Sequence, residues 1–260
     1  MSGSFFTLSR FALVFAAWLF GWWAITWVLN VNPTFLPPPT TVFERLATMA
    51  TVSMGDGTLI VHILGSLKRF ATGFALAVII GIPLGFAMGY FKPINKLVTP
   101  IFEAIRPIPP IAWAPFAILW FGLNVGAQAF VILLAAMPPI IINAQLAIRM
   151  TDGRLIDAAR VFGAGPLRVL AEVALPSSIP LVFTGLRIGV ANGWMALIAA
   201  ELVAGDGSST GLGYLILQGQ RTLNADLSIA AMIVIGVIGA LLDVSLNRLN
   251  RYFQGWTAQT

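Results

Sequence analysis

Long stretches without a charged side chain constrain this sequence more than any other feature. Residues 11–29 contain no Asp, Glu, Lys or Arg, and a helix of that length can cross a hydrocarbon core about 30 Å thick. The whole chain shares this character, since 58% of its residues are hydrophobic and 10% are charged. We predict an all-α integral membrane protein with six transmembrane helices, at residues 11–29, 61–91, 98–121, 127–148, 179–203 and 228–246.

The composition also limits the kinds of function. Removing the apolar stretches leaves no segment large enough for a soluble domain, so we interpret residues 1–260 as one transmembrane domain. The chain has no cysteine and a single histidine, His62, which cannot build a metal centre alone; we predict no metal site and place His62 near the outer membrane interface. The net charge is +5, but the basic residues are scattered through short loops, which argues against a nucleic-acid partner.

Prolines divide the third and fourth predicted spans. The third contains Pro107, Pro109 and Pro110, and the fourth contains Pro138 and Pro139. Proline lacks the N–H that a helix needs, and irregular backbone at membrane depth is tolerated only where it is buried in protein or lines a water-filled space. We therefore predict broken third and fourth spans, with the third either lining a pathway or holding a purely structural kink.

A stripe of small residues runs along one face of the second predicted span. Its members recur every four residues: Gly73, Ala77, Gly81, Gly85 and Gly89. Small side chains at this spacing let two helix backbones approach closely. In a bilayer the lipid is as apolar as the side chains, so helices associate through this close packing and not through the hydrophobic effect. The stripe predicts a packing seam, most simply against another span of the same chain.

A polar segment at residues 151–176 separates two apolar stretches. Thr151 or Asp152 can cap a first short helix, Gly163 can end it, and Pro166 suits the first position of a second helix. We predict two short helices, at residues 154–162 and 166–173, that meet at a sharp elbow and end at Pro176. Three alanines would let another backbone approach this surface: Ala158, Ala159 and Ala164.

The distribution of Lys and Arg indicates the orientation. If both termini and the polar segment lie inside, nine basic residues fall on the inner side: Arg10, Lys92, Lys96, Arg149, Arg154, Arg160, Arg168, Arg248 and Arg251. Four fall outside: Arg45, Lys68, Arg69 and Arg221. The excess of positive charge inside predicts that both termini and the polar segment are cytoplasmic and that the glycine-rich loop at residues 204–213 is outside.

The polar segment resembles the EAA loop of permease subunits from ABC importers. The pattern consists of Asp157-Ala158-Ala159, three residues, Gly163, nine residues, Val173, one residue and Leu175-Pro176, with Asp157 where the family usually has Glu. Flanking stretches are similar to the nitrate, sulfonate, taurine and bicarbonate branch of that family: LPPPTTV at 36–42, RPIPPIAWAPFAILWFG at 106–122, FTGLRIG at 183–189 and GLGYLI at 211–216.

The resemblance implies a type I importer permease in a bacterial plasma (inner) membrane. In that family the loop carries cytoplasmic coupling helices that insert into an ATP-binding cassette ATPase dimer, and an external solute-binding protein delivers the cargo. A second permease subunit, commonly an identical one, completes the assembly within the lipid. ATP and Mg would belong to the ATPase, because this chain has no GxxxxGK[ST] loop, no cofactor site and no expected enzyme activity. The residues that match the motif or its elbow are Asp157, Ala158, Ala159, Gly163, Ala164, Pro166, Leu175 and Pro176.

Polar, charged and proline residues inside the spans are candidates for the translocation path: Glu103, Arg106, Pro109, Pro110, Trp113, Arg187, Asn192, Trp194 and Glu201. An arginine at membrane depth is costly unless it is paired or hydrated. Arg106 and Arg187 either serve a cavity that passes an anion or form structural ion pairs with Glu103 or Glu201. The resemblance implies a small, anionic solute such as nitrate, a sulfonate, bicarbonate or an organic carboxylate.

Two other classes of function stay open on the residues alone. A gradient-driven secondary transporter or channel would suit broken spans, but no inverted repeat is evident and the cytoplasmic loop would lack a purpose. An intramembrane enzyme would need a motif such as HExxH, GxSxG or paired aspartates, and the spans contain none of these.

Overall fold

The computed structural model describes residues 2–204 and 210–257, so residues 205–209 of the predicted loop at 204–213 lie outside the described residues. Apart from one isolated β-bridge between Met54 and Gly57, the described elements are helical. They are α1 Ser2–Val28, α2 Pro39–Thr51, α3 Leu59–Tyr90, α4 Lys92–Ile105, a 3-10 turn Pro110–Trp113, α5 Ala114–Phe121, α6 Val125–Arg149, α7 Gly153–Val161, α8 Pro166–Val169, a π-turn Leu170–Ala174, α9 Leu175–Ala204, α10 Leu212–Arg221 and α11 Ala225–Thr257.

Several of these helices can cross a membrane by length and composition. Four described segments qualify alone: Leu59–Tyr90, Val125–Arg149, Pro166–Ala204 and Ala225–Tyr252. Lys92–Ile105 and Pro110–Phe121 qualify together as one bent pair, and the described apolar part of α1, Leu13–Val28, is shorter. The all-helical membrane fold is confirmed, whereas the count of six spans stays a prediction.

The chain divides into two compact units, one of Met1–Leu64 with Ser209–Ile235 and one of Gly65–Ser208 with Gly236–Thr260. In the first unit, His62 is fully buried and joins two loops. Its Nε2 donates to the carbonyl of Met54 at 2.7 Å, and its Nδ1 accepts from the N–H of Gly211 at 3.0 Å. Both ring nitrogens therefore have hydrogen-bond partners within the backbone of this unit.

The second unit is built around the predicted small-residue seam between α3 and α6. A methyl group placed on Gly85 would lie 2.6 Å from Cβ of Ala144, and one on Gly73 would lie 2.6 Å from the carbonyl oxygen of Ala129. Ala77, from the same stripe, is fully buried. The seam is confirmed, and its partner is the fourth span of the same chain. Such close backbone approach gives van der Waals attraction that does not depend on excluding water.

Helix α6 is continuous, so the prediction of a broken fourth span was wrong. Pro138 and Pro139 lie inside Val125–Arg149 without interrupting it. The neighbouring helix α9 packs closely here, because a methyl group on Gly185 would lie 3.0 Å from the carbonyl oxygen of Pro139. Nδ2 of Asn143 donates to that same carbonyl at 2.8 Å. Tight packing and side-chain hydrogen bonds let a membrane helix keep its course through prolines.

The third span is broken as predicted. Helix α4 ends at Ile105, and the Pro110–Phe121 segment continues from it at an angle of 86°. Pro107, Pro109 and Pro110 occupy the break, and proline at these positions leaves the preceding carbonyls without helical donors. The bend turns a single span into two short helices joined by irregular backbone.

Candidate functional site

The first half of the polar segment forms the predicted helix and elbow. Oδ1 of Asp152 accepts from the N–H of Arg154 at 2.9 Å, so Asp152 rather than Thr151 caps α7. Gly163 follows the helix with a φ of 80°, the left-handed conformation that glycine adopts most easily. Gly163 N–H donates to the carbonyl of Arg160 and Ala164 N–H to that of Ala159. These two bonds form a Schellman motif, which ends the helix sharply.

The second half differs from the prediction. Pro166 begins α8 as expected, but Pro176 does not end a helix, because the chain stays helical from Pro166 to Ala204. In a regular helix the ring of Pro176 would collide with the carbonyl of residue 172. The π-turn at Leu170–Ala174 relieves this collision, since the N–H of Leu175 donates to the carbonyl of Leu170, five residues back. Pro176 thus shifts the helical register, and Leu175 beside it is half-buried.

The elbow exposes large apolar side chains. Val161 is 85% exposed, Phe162 89% and Leu167 72%. Ala158 and Pro166 are also exposed, whereas Ala159 and Ala164 are half-buried. Sequence reasoning missed the three large residues because they fall in the unspecified gaps of the motif. Their signal was available as apolar residues on either side of a predicted turn in a polar segment.

Charges surround this apolar surface. Asp157 and Arg160 approach to 3.8 Å, and both side chains are largely exposed. Arg154 and Arg160 are both three residues from Asp157 and equally within reach on a helix, and the pair that forms is with Arg160. Nε of Arg168 donates to Glu172 at 2.9 Å along the second helix. The hydroxyl of Tyr90, at the end of α3, donates to the carbonyl of Pro166 at 2.7 Å and holds the elbow to the body of the unit.

A cavity of about 460 Å³ lies beside the broken third span. Four predicted path residues line it: Arg106, Pro110, Trp113 and Asn192. Most of the remaining wall is apolar and comes from α4 and α6, including Phe102, Ile105 and Pro138. Arg106 is paired with Glu103 at 3.3 Å, and both side chains are about half exposed. The arginine charge is thus balanced by its own helix while it stays accessible to the cavity.

The other predicted path residues lie elsewhere. Pro109 is in the break itself. Trp194 is buried with its ring edge-on to Phe70, at 5.6 Å between centroids. Glu201 is buried and accepts from Ser66 at 2.7 Å and from Arg69 at 3.0 Å. Trp194 and Glu201 therefore have packing and ion-pair partners inside the unit and are not among the residues that line the large cavity.

Arg187 has a partner that the sequence did not indicate. Its Nε and Nη2 donate to the two carboxylate oxygens of Asp243 at 2.5 and 2.9 Å, so Glu103 and Glu201 are both wrong as partners for it. The two residues are 56 positions apart, and only the packing of α11 against α9 brings them together. The bidentate geometry is the strong form of an arginine–carboxylate pair.

The described residues contain no group of three His, Asp or Glu side chains that could hold a metal ion.

Three relatives align with most of this chain. It is 36% identical to the taurine transport system permease protein of Escherichia coli over 90% of this chain and 85% of the relative. It is 36% identical to the bicarbonate transport system permease protein of Synechococcus elongatus, over 77% and 70%. It is 33% identical to the nitrate import permease protein of a Synechocystis species, over 80% and 76%.

A solved structure has the same fold. The inward-facing MetNI methionine ABC transporter aligns with a TM-score of 0.64 over 75% of this chain and 95% of that chain, at 20% identity. The family model described as binding-protein-dependent transport system inner membrane component matches residues 77–259. The chain therefore belongs to that family, as a membrane permease subunit of the nitrate, sulfonate, taurine and bicarbonate branch of ABC importers.

Proposed function

We propose that this chain forms the translocation path for a small, anionic solute and couples that path to a separate ATPase through the elbow at residues 151–176. The names of the relatives suggest taurine or another sulfonate, bicarbonate, nitrate or an organic carboxylate as the solute. The ATPase dimer would supply ATP and Mg, an external binding protein would deliver the solute, and a second copy of this chain would complete the path. Both termini would lie in the cytoplasm.

The exposed apolar elbow is the observation that supports this proposal most directly. Phe162, Val161 and Leu167 are among the most exposed large apolar side chains of the second unit. The excess of basic residues supports a cytoplasmic position for this segment, where lipid would not cover these side chains. An exposed apolar surface with a charged rim is characteristic of a protein-binding site.

The geometry of the elbow suits mechanical coupling. Helix α7 ends in a rigid Schellman turn, and the second helix continues directly into the span that ends at Ala204. Movement of docked helices with the ATPase pair would tilt the third to fifth spans between inward-open and outward-open states. The cavity beside the broken third span, with its accessible Arg106, is the part of the path that such tilting would open or close.

Co-purification with the ATPase encoded beside this chain tests the coupling role. The comparison uses the detergent-solubilised wild type and Phe162→Ser, with Phe35→Ser as the matched control because Phe35 is 79% exposed on the predicted outer side. We expect wild type and Phe35→Ser to retain the ATPase and Phe162→Ser to lose at least nine-tenths of it. Gly163→Asp, which places a bulky charge at the elbow, should lose it as well.

Two outcomes would contradict the proposal. If wild type retains no ATPase, or if Phe162→Ser and Gly163→Asp retain as much as wild type, the elbow has another purpose. A gradient-driven carrier would then become the leading alternative, and solute uptake by the purified chain alone in liposomes would support it.

A further inference from the structure

The cavity beside the broken third span lies at the middle of the helices around it. Pro138 and Pro139, in its wall, are near the centre of α6, and Asn192 is near the centre of α9. Its volume of about 460 Å³ is within the range of roughly 300–1,000 Å³ that is usual for small-molecule sites. Irregular backbone at membrane depth is tolerated where it lines such a space, and the break does so through Arg106 and Ile108. The position and size of the cavity therefore suit a solute.

The lining offers positive charge at one point. Among the described residues that line the cavity, Arg106 alone is charged, and the amide of Asn192 and the indole of Trp113 are further hydrogen-bond donors. Glu103, which lies 3.3 Å from Nη2 of Arg106, is not among the lining residues, and both side chains of this pair are about half exposed. Ion pairs this exposed are weak, and a guanidinium carries five N–H donors. Arg106 can therefore hold a second anion without losing Glu103.

The rest of the wall is apolar. Apart from Arg106, Trp113 and Asn192, the described lining residues have side chains without an N–H or O–H group, among them Phe102 and Met137. A nitrate or bicarbonate ion would fill a small part of the volume and would give up part of its hydration without covering this wall. A hydrocarbon part gains about fourfold in affinity for each methylene that it buries. The wall therefore favours a solute that carries an aliphatic part beside its anionic group.

We propose that this cavity binds the solute in transit and selects an organic anion with an aliphatic part over an inorganic oxyanion. Arg106 would hold the anionic group, with Asn192 and Trp113 as further donors. The aliphatic part would lie against the wall that includes Phe102 and Met137. The inference rests on the proposed transport function and narrows its solute class to alkanesulfonates and alkanecarboxylates. Nitrate and bicarbonate would bind more weakly, because they carry no group that covers the apolar wall.

A series of alkanesulfonates tests the apolar wall. Methanesulfonate, ethanesulfonate, propanesulfonate and butanesulfonate carry the same charge and differ only in their methylenes. The test measures equilibrium binding of each, and of nitrate, to the full-length chain in lipid nanodiscs, with the signal of empty nanodiscs subtracted. We expect affinity to rise about two- to fourfold per methylene and nitrate to bind at least about tenfold more weakly than butanesulfonate. Equal affinity across the series, nitrate binding as tight as that of butanesulfonate, or no binding of any of these anions would overturn the proposal.

Arg106→Gln tests the group that holds the anionic end. We expect its affinity for butanesulfonate to fall about tenfold or more, because a hydrogen bond to a charged group is lost. Its melting temperature should stay within a few degrees, since the pair with Glu103 is exposed. Arg45→Gln is the matched control, because Arg45 is also paired with a carboxylate, Asp226 at 2.7 Å, and is not among the lining residues. Unchanged affinity in Arg106→Gln would contradict the assignment and indicate a groove that takes up alkyl chains of any kind.

Phe102→Ser tests the wall separately from the charge. We expect its affinity for methanesulfonate to stay at the wild-type level, while the ratio of butanesulfonate to methanesulfonate affinity falls about threefold or more. Phe116→Ser is the matched control, since Phe116 is 52% exposed on α5 and is not among the lining residues. An unchanged ratio in Phe102→Ser would show that the aliphatic part does not lie against this wall.

Failure of this inference can be distinguished from failure of the transport role. If wild type does not co-purify with its ATPase, the proposed function itself fails. If wild type and Arg106→Gln both retain the ATPase but methanesulfonate, butanesulfonate and nitrate bind alike, only the assignment of this cavity is wrong.

Discussion

The α3–α6 seam and the elbow at residues 151–176 use apolar residues in opposite ways. Along the seam, small residues bring two backbones so close that a methyl group on Gly85 would meet Ala144 at 2.6 Å. At the elbow, Phe162 is 89% exposed, and a methyl group on Gly163 would have no atom within 4 Å. The seam is complete within this chain, whereas the elbow presents a surface that its own unit leaves uncovered. Substitutions at the seam should therefore affect folding, and those at the elbow should affect assembly.

The largest effect is expected from Gly85→Leu. The new side chain has no room between the two helices, and overpacking against backbone costs about 3 kcal/mol or more. We expect loss of the monodisperse peak in size-exclusion chromatography. Gly236→Leu is the matched control in another apolar helix, because a methyl group there meets nothing within 4 Å. Folding of Gly85→Leu at the wild-type level would show that the seam is not tightly packed.

Glu201→Ala should have the next largest effect. It leaves the buried Arg69 without its carboxylate, and removing one partner of a buried pair costs about 3–5 kcal/mol. The exposed pair at the elbow provides the contrast, since Asp157→Ala should change the free energy of unfolding by no more than about 0.5 kcal/mol. Thermal melting of the two variants in detergent compares these costs. Equal melting temperatures would contradict the distinction between the two pairs.

A smaller effect on stability than that of Glu201→Ala is expected from Gly163→Ala. Nothing blocks a methyl group there, but a left-handed φ costs an alanine about 1 kcal/mol. Gly163→Asn should be tolerated better, because asparagine adopts this conformation more readily. Co-purified ATPase per permease, measured for both variants, should fall more for alanine than for asparagine while the melting temperatures stay within a few degrees. The reverse order would show that the conformation of residue 163 does not govern docking.

Local rules accounted for much of the fold. The turn at Gly163 and the start at Pro166 each depend on a few neighbouring residues, so the sequence was sufficient to predict them, and it narrowed the cap to Thr151 or Asp152. The four-residue spacing of the glycine stripe likewise defined one face of α3 without knowledge of its partner. The break in the third span followed from prolines that cannot all be accommodated in one helix.

Features that depend on tertiary packing could not be predicted in the same way. The Arg187–Asp243 pair joins residues 56 positions apart, and nothing near either residue specifies the other. The missing N–H of proline predicted a break correctly at Pro109 and wrongly at Pro138, because close packing of α9 supports the helix at the second site. Pro176 was misjudged because a π-turn relieves its steric conflict with the preceding turn.

The continuity of the helix through Pro176 has a mechanical consequence. Pro166–Ala204 is one helical segment of 39 residues, about 58 Å long at 1.5 Å per residue. Gly185, Gly189 and Gly193 bring its middle close to α6. If the elbow docks on an ATPase as proposed, a displacement at Pro166 would be transmitted along the same helical segment to Ala200 and Ala204 at its other end. The two ends would then move through one continuous element.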